Sequence, residues 1–423
     1  MRELALRTSE KQNFCTNLGA TDSRLDGKVR RLSMYNSGRN MQLSKSMSNN
    51  LRSFFFFETE LFPFSSLHHN LSHFKLLRVL DLQGVSVETL PGGLFSLVDL
   101  RYLNLRDSKL REIPKSIGSL QNLQTLDIRN TNVQRIPNEL TKLSNLRHLY
   151  MYSYKNDCSR DFNFLCTIKA PLGIWNLHSL QTLACLEADE HLVKQVGSLC
   201  ELRRFQVTKL RACDGPKLCA SIEKMNFLRY LGVMASNEEE LLQLEDLSPP
   251  TPLQKLTLVG HLLRLPPWLS SLMNLTHLYL GWSRLSGDDD ILSSLQVLSN
   301  LVFLELKKAY EGELLQFHAG FFPKLNKLNL WELTRLKSVI IDEGALPSIR
   351  FLHLIRCEEL KGLPTGIEHL ATLEKLHLQE MPQEFVQELQ RDISEDRRNV
   401  RRISTVKHVF SSEHNCVVET LLY

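Results

Sequence analysis

The sequence predicts an α/β solenoid built by stacking one short unit, and three observations carry that prediction. Four stretches in strict register begin 23 residues apart: Leu77-Arg78-Val79-Leu80-Asp81-Leu82, Leu100-Arg101-Tyr102-Leu103-Asn104-Leu105, Leu123-Gln124-Thr125-Leu126-Asp127-Ile128 and Leu146-Arg147-His148-Leu149-Tyr150-Met151. Proline recurs at a fixed offset behind the leading leucines, in Leu90-Pro91, Ile113-Pro114 and Ile136-Pro137. After the proline, apolar residues are spaced by three, as at Ile117, Leu120 and Leu123. The period falls in the range of roughly 20 to 29 residues that defines the leucine-rich repeat. The expected architecture is a horseshoe-like solenoid. It has a parallel β-sheet on the concave face and short helical, 3₁₀ or irregular segments on the convex face.

Each element follows from elementary geometry. Side chains alternate across a strand, so Leu103 and Leu105 face inward together while Tyr102, Asn104 and Arg106 face outward. Proline fixes φ and removes a ladder donor, which suits a segment that has left the sheet. Apolar spacing by three then fits a helical or 3₁₀ return. Carried outward from the four clear copies, the template recurs with leads at Val29, Leu51, Leu180, Leu202, Leu228, Leu253, Leu275, Leu301, Leu325, Ile349 and Leu373, making fifteen repeats.

The chain divides into a junction at 1–28 with no repeat, a solenoid over 29–380 and a closing cap over 381–423. The junction reads as a helix and loop, and the cap as a helix and strand hiding the last apolar face. Between Leu146 and Leu180 the spacing widens to 34 residues. The polar segment near 152–175 is an insertion, either a binding loop or a tolerated surface excursion.

Composition narrows the function. A repeat array grows by length without thickening its core, so 423 residues do not require several domains. Fifty-one basic against 47 acidic residues is too balanced to imply a nucleic-acid partner. Nine cysteines with no C-x-x-C pair suggest neither a zinc site nor a disulfide framework, and fit a reducing compartment. No apolar signal core and no apolar run long enough for an integral membrane segment occur, so the expected location is the cytoplasm, with the inner face of the plasma membrane reached only through partners.

Nothing in the sequence matches a catalytic motif. There is no G-x-x-x-x-G-K-[ST] loop, H-E-x-x-H or G-x-S-x-G, so neither an enzyme nor a bound cofactor is expected. Asp288-Asp289-Asp290 lacks the spaced ligands and turn glycine of a cation loop. The sequons at Asn70 and Asn274 matter only in a secretory protein, and the basic run from Arg397 to Arg402 reads as a solvated tail.

The outward positions are the candidate binding surface. The template places Tyr102, Arg106, Arg129, Arg147, Tyr150 and Tyr152 on the concave face, then Tyr279, Trp282, Phe303, Lys307 and Trp331 further along. Tyr, Trp and Arg dominate protein interfaces because they bring large area or planar charge at modest entropy cost. In Phe54-Phe55-Phe56-Phe57 the template buries Phe54 and Phe56 and turns Phe55 and Phe57 outward. Two neighbouring exposed phenylalanines suggest contact with another domain.

These residues carry a family resemblance. Met1-Arg2-Glu3-Leu4-Ala5-Leu6, Lys11-Gln12-Asn13-Phe14-Cys15 and Val29-Arg30-Arg31-Leu32-Ser33-Met34 resemble the junction behind the nucleotide-binding module of plant disease-resistance proteins, of the coiled-coil, nucleotide-binding, leucine-rich-repeat class. Leu110-Arg111-Glu112-Ile113-Pro114 and Leu143-Ser144-Asn145-Leu146-Arg147-His148-Leu149 resemble that class's repeats. The coiled-coil and nucleotide-binding domains are not found in this sequence, so ADP or ATP is expected only there. The resemblance implies contacts to a nucleotide-binding module, in cis or in trans, and recognition of a pathogen effector or a guarded host protein. A stand-alone cytosolic adaptor or scaffold is the alternative.

Overall fold

The computed structural model describes residues 15–18, 29–35, 50–57, 71–155, 161–287, 291–391, 395–412 and 415–422. The chain forms two compact units, Met1–Thr208 and Lys209–Tyr423. Every one of the fifteen leads read from the sequence is followed, two residues later, by the first residue of a strand.

In the first unit the strands Arg31–Tyr35, Ser53–Phe57, Val79–Asp81, Tyr102–Asn104, Thr125–Asp127, His148–Tyr150 and Thr182–Glu187 pair in parallel, one after another. Adjacent repeats are joined by a shared acceptor at the base of each strand. The Arg78 carbonyl takes hydrogen bonds from the amides of both Arg101 and Tyr102. The Arg101 carbonyl does the same for Gln124 and Thr125. Leu80, Leu103, Leu126 and Leu149 are fully buried beneath the sheet, each worth about 2 kcal/mol of apolar burial.

Behind the sheet, Gly92–Ser96, Lys115–Ser119 and Asn138–Lys142 are 3₁₀ turns, each entered by the proline that the sequence singled out. Pro91, Pro114 and Pro137 sit in extended backbone at φ near −70°, which a pyrrolidine ring imposes without strain.

One expectation needs correcting at the N-terminus. Residues 1–28 contain a strand, Thr16–Leu18, paired in parallel with Arg31–Tyr35. The pairing uses backbone hydrogen bonds, and Thr16-Asn17-Leu18 carries no L-x-x-L-x-L signature to betray it. The insertion is an antiparallel pair, Ser153–Tyr154 with Leu165–Cys166, followed by Ile168–Lys169, which extends the sheet beside Leu186 and Glu187.

In the second unit Tyr230–Ala235, Lys255–Val259, His277–Gly281, Phe303–Lys307, Lys327–Trp331, Phe351–Ile355 and Lys375–Gln379 form the parallel sheet. Behind it, Leu314–Phe317 and Ser338–Ile341 pair into a second small sheet in place of 3₁₀ turns. After the repeats come helices Gln383–Gln390 and Glu395–Val400. Thr405–Ser412 then adds a further parallel strand to the sheet, and Asn415–Leu422 closes it antiparallel. The segment expected as a cap thus includes one more rung, with Ile403 and Val406 buried where a repeat places leucines. Asp288-Asp289-Asp290, Asn70 and residues 1–14 and 19–28 lie outside the described residues. Among the described residues no helix is long and apolar enough to cross a membrane.

Candidate protein-recognition surface

In-register parallel pairing turns each outward strand position into a row running across the repeats. In the first unit the central row is Phe55, Asp81, Asn104, Asp127 and Tyr150. Asn104 Nδ2 donates to Asp81 Oδ1 at 3.0 Å. The Arg129 guanidinium grips Asp127 with Nε 2.9 Å from Oδ1 and lies 4.8 Å over the Tyr150 ring, so charge and aromatic face hold it together. Its pKa is held above the usual arginine value, first by that hydrogen bond to Asp127. Tyr102, in the next row, is half-buried; burial raises its phenol pKa, reinforced by the charges of Asp81 and Asp127. Tyr152 meets Tyr154 edge-on at 5.5 Å. Arg106 pairs with Asp107 at 3.2 Å, and Arg147 is exposed.

Phe54 and Phe56 are buried, as the alternation requires. Phe55 lies in the outward row, half-buried between Ser33 and Asp81. The side chain of Phe57 lies outside the described residues.

The second unit presents Tyr279, Glu305, Asn329, His353 and His377 in its central row, and Gly281, Lys307, Trp331 and Ile355 in the row beside it. Two of the placements expected from the repeat template fail here in accessibility: Trp282 and Lys307 are buried rather than open. Trp282 follows the strand at φ 53°, a left-handed turn that swings its ring over the neighbouring repeat. Lys307 does face outward, but its amine is held 4.4 Å from the Trp282 ring centre and 4.1 Å from that of Trp331. Burial pushes that amine down to about 8, against the pull of Glu332 and Glu305. Phe303, Tyr279 and Trp331 remain partly exposed. Asn329 Nδ2 donates to Glu305 Oε2 at 2.7 Å, and burial raises the Glu305 pKa.

A second set of ladders lies outside the leucine template. The residue just after each strand adopts positive φ, at Lys308, Glu332, Arg356 and Glu380, and their charges alternate. Lys308 Nζ is 3.5 Å from Glu332, Arg356 Nη1 is 3.0 Å from Glu332, and Arg356 Nε binds Glu380. The same turn in the first unit makes an uncharged-to-acidic version, in which Gln83 and Asn130 both donate to Asp107, at 3.0 and 2.8 Å. Left-handed non-glycine residues cost on the order of 1 kcal/mol each, which the ladder contacts offset. The signal available in the sequence is charge of alternating sign at a spacing of 24 residues.

A family profile described as a leucine-rich repeat region matches residues 50–402. The chain belongs to that leucine-rich-repeat region family. Its repeats are similar to Disease resistance protein RPM1 of Arabidopsis thaliana, 39% identical over 97% of this chain and 44% of that protein. They are also similar to Disease resistance RPP8-like protein 3 of the same plant, 27% identical over 56% of this chain and 26% of that one. The chain therefore spans less than half the length of these relatives. Among solved structures, a leucine-rich-repeat protein of Leptospira interrogans aligns with a TM-score of 0.56 at 21% identity, over 84% of this chain and 91% of that one. The leucine-rich-repeat ectodomain of the Arabidopsis thaliana receptor kinase GASSHO1/SCHENGEN3 aligns at 0.53 and 19% identity, over 86% and 44%. Those two likenesses concern the fold alone.

Proposed function

We propose that this leucine-rich-repeat region is the protein-recognition and autoregulatory part of an intracellular plant immune receptor. It senses a pathogen effector or an effector-modified host protein through its sheet rows, works in the cytoplasm, and holds a nucleotide-binding module in check without catalysis of its own. The observation that carries this reading is the row structure of the open face. Aromatic side chains such as Tyr102, Tyr150, Tyr279, Phe303 and Trp331 are displayed in register on rigid strands, with Arg129 in the turn that follows its strand, in a chain 39% identical to a disease-resistance protein along nearly its whole length. Rigid display lowers the entropy lost on binding. Phe55, half-buried in the outward row near the start of the repeats, supplies apolar surface for the regulatory contact.

Co-expression of this chain with the portion of Disease resistance protein RPM1 that it does not match tests the reading. The two polypeptides are expected to co-purify, this chain is expected to suppress cell-death signalling by that portion in leaf tissue, and Phe55→Ser is expected to weaken both. Absence of association together with absence of suppression would overturn the autoregulatory reading.

A further inference from the structure

At the C-terminal end of the second unit's sheet, a groove of about 450 Å³ opens between His353, Lys375, His377, Thr405 and Lys407, over Leu376 and Val409. We propose that this groove binds the carboxylates of an acidic segment of a protein partner; the inference rests on the sheet face being a recognition surface.

Charge complementarity carries it. Some cations on this unit are neutralised from the neighbouring repeat: Arg350 by Glu374, Lys337 by Glu313, and Arg356 by Glu332 and Glu380. Lys327, Lys375 and Lys407 are not among them. No carboxylate whose side chain is described comes within ion-pair distance of any of them. Lys327 instead lies 5.8 Å over the Phe303 ring and Lys375 5.7 Å over the Phe351 ring, which leaves their charge available. The two imidazoles, 5.0 Å apart, occupy the adjoining row, which Lys407 continues.

The surroundings offer little acid to these groups. Lys327 stands on the strand before His353, and Lys375 and His377 on the strand after it. Lys407 stands one strand further, and the closing strand puts Thr420 opposite Lys407. Glu305 is the acidic member of the central row, two strands from His353; its charge acts on Lys327 and Lys307, which do not line the groove, and not on Lys375 or Lys407. Burial and the neighbouring cations accordingly push His353 down to about 4 and lower His377. The site is an uncompensated positive field over an apolar floor.

The lining chemistry favours carboxylates on a peptide. No arginine lines the groove among its described residues, so it offers no bidentate fork to a carboxylate or a phosphate, and the apolar floor is what favours a peptide. Lysine and imidazole act as single donors, and Phe351, Leu376 and Val409 offer contact to the aliphatic stems of Glu side chains. Successive same-side residues of an extended segment lie about 7 Å apart, a spacing that lets two acids reach lysines on alternate strands.

A blocked decaglutamate peptide is the probe, titrated by calorimetry into the full chain at low salt, with decaglutamine and inorganic phosphate as controls. Lys375→Gln with Lys407→Gln is expected to weaken decaglutamate binding about tenfold, the loss of two exposed ion pairs. Arg101→Gln with Arg135→Gln removes equal charge from the other unit and is expected to change it less than about twofold. Binding carboxylates raises the lowered histidine pKa values, so protons are taken up. Affinity should therefore change little between about pH 7.5 and 6.5 and rise as pH falls from about 6 to 5, toward the lowered histidine values, and His353 and His377 resonances should shift. Equal loss in both double variants, no decaglutamate binding, or inorganic phosphate displacing the peptide stoichiometrically would each overturn the proposal. Such a result leaves co-purification with the relative's portion untouched, so failure here and failure of the functional reading are told apart.

Discussion

Arg356→Ala is the sharpest test of the charge ladder. The Arg356 side chain is 13% exposed, and its carboxylate partners Glu332 and Glu380 are 10% and 21% exposed, so solvent screens these contacts weakly. At an effective dielectric of about 20, one such pair near 3 Å interacts by about 5 kcal/mol, and desolvation of the three charges cancels much of the sum. Truncation leaves that desolvation in place. Glu332 retains Lys308 at 3.5 Å, while Glu380 loses its guanidinium. The expected net loss is about 3 kcal/mol, from the cost of breaking a buried pair on one side.

A repeat array need not unfold in one step, so the assay is native-state hydrogen exchange of strands Lys327–Trp331, Phe351–Ile355 and Lys375–Gln379, alongside urea denaturation. Arg356→Lys keeps the charge but loses the fork, and should recover about half of the loss. The triple change Glu332→Gln, Arg356→Met, Glu380→Gln should return to within about 1 kcal/mol of the parent. If Arg356→Ala exchanges within about 0.5 kcal/mol of the parent, the ladder is a surface decoration and the reasoning fails.

Leu103→Asp, at a fully buried position between Leu80 and Leu126, should cost more than about 4 kcal/mol and loosen several repeats; an unchanged urea midpoint would contradict the inward assignment. Gly366→Ala should destabilise the second unit by about 2 kcal/mol or more, because φ is 87° and a Cβ would collide with the Ile341 carbonyl oxygen. The check is a thermal melt. Lys307→Met tests the buried amine. A lysine lowered to about 8 binds fewer protons folded than unfolded between about pH 8 and 10, so its contribution to stability rises with pH across that window. The stability of the parent relative to Lys307→Met should therefore climb by up to about 1 kcal/mol per pH unit, and parallel pH curves would refute it.

The inward side of this protein was legible in its sequence. The leads at Val29 through Leu373 predicted where every one of those fifteen strands begins, because a buried stack tolerates only apolar residues at alternating positions and a repeat multiplies that signal. The prolines before Gly92, Lys115 and Asn138 marked the 3₁₀ turns for the same kind of local reason. Thr16–Leu18 was not legible, since backbone pairing needs no particular side chain.

The outward side was decided by tertiary structure. Strand alternation says that Lys307 points away from the core, but only the left-handed turn at Trp282 and the in-register neighbour Trp331 determine that it ends up covered. Arg356 and Glu380, or His353 and His377, sit 24 residues apart in the chain and touch only because parallel pairing brings equal positions side by side. Sequence alone thus determined which residues build the solenoid, through a pattern repeated within each unit. The rows that its open face presents, and which of their charges remain unpaired, depend on contacts between repeats, and those exist only in the folded stack.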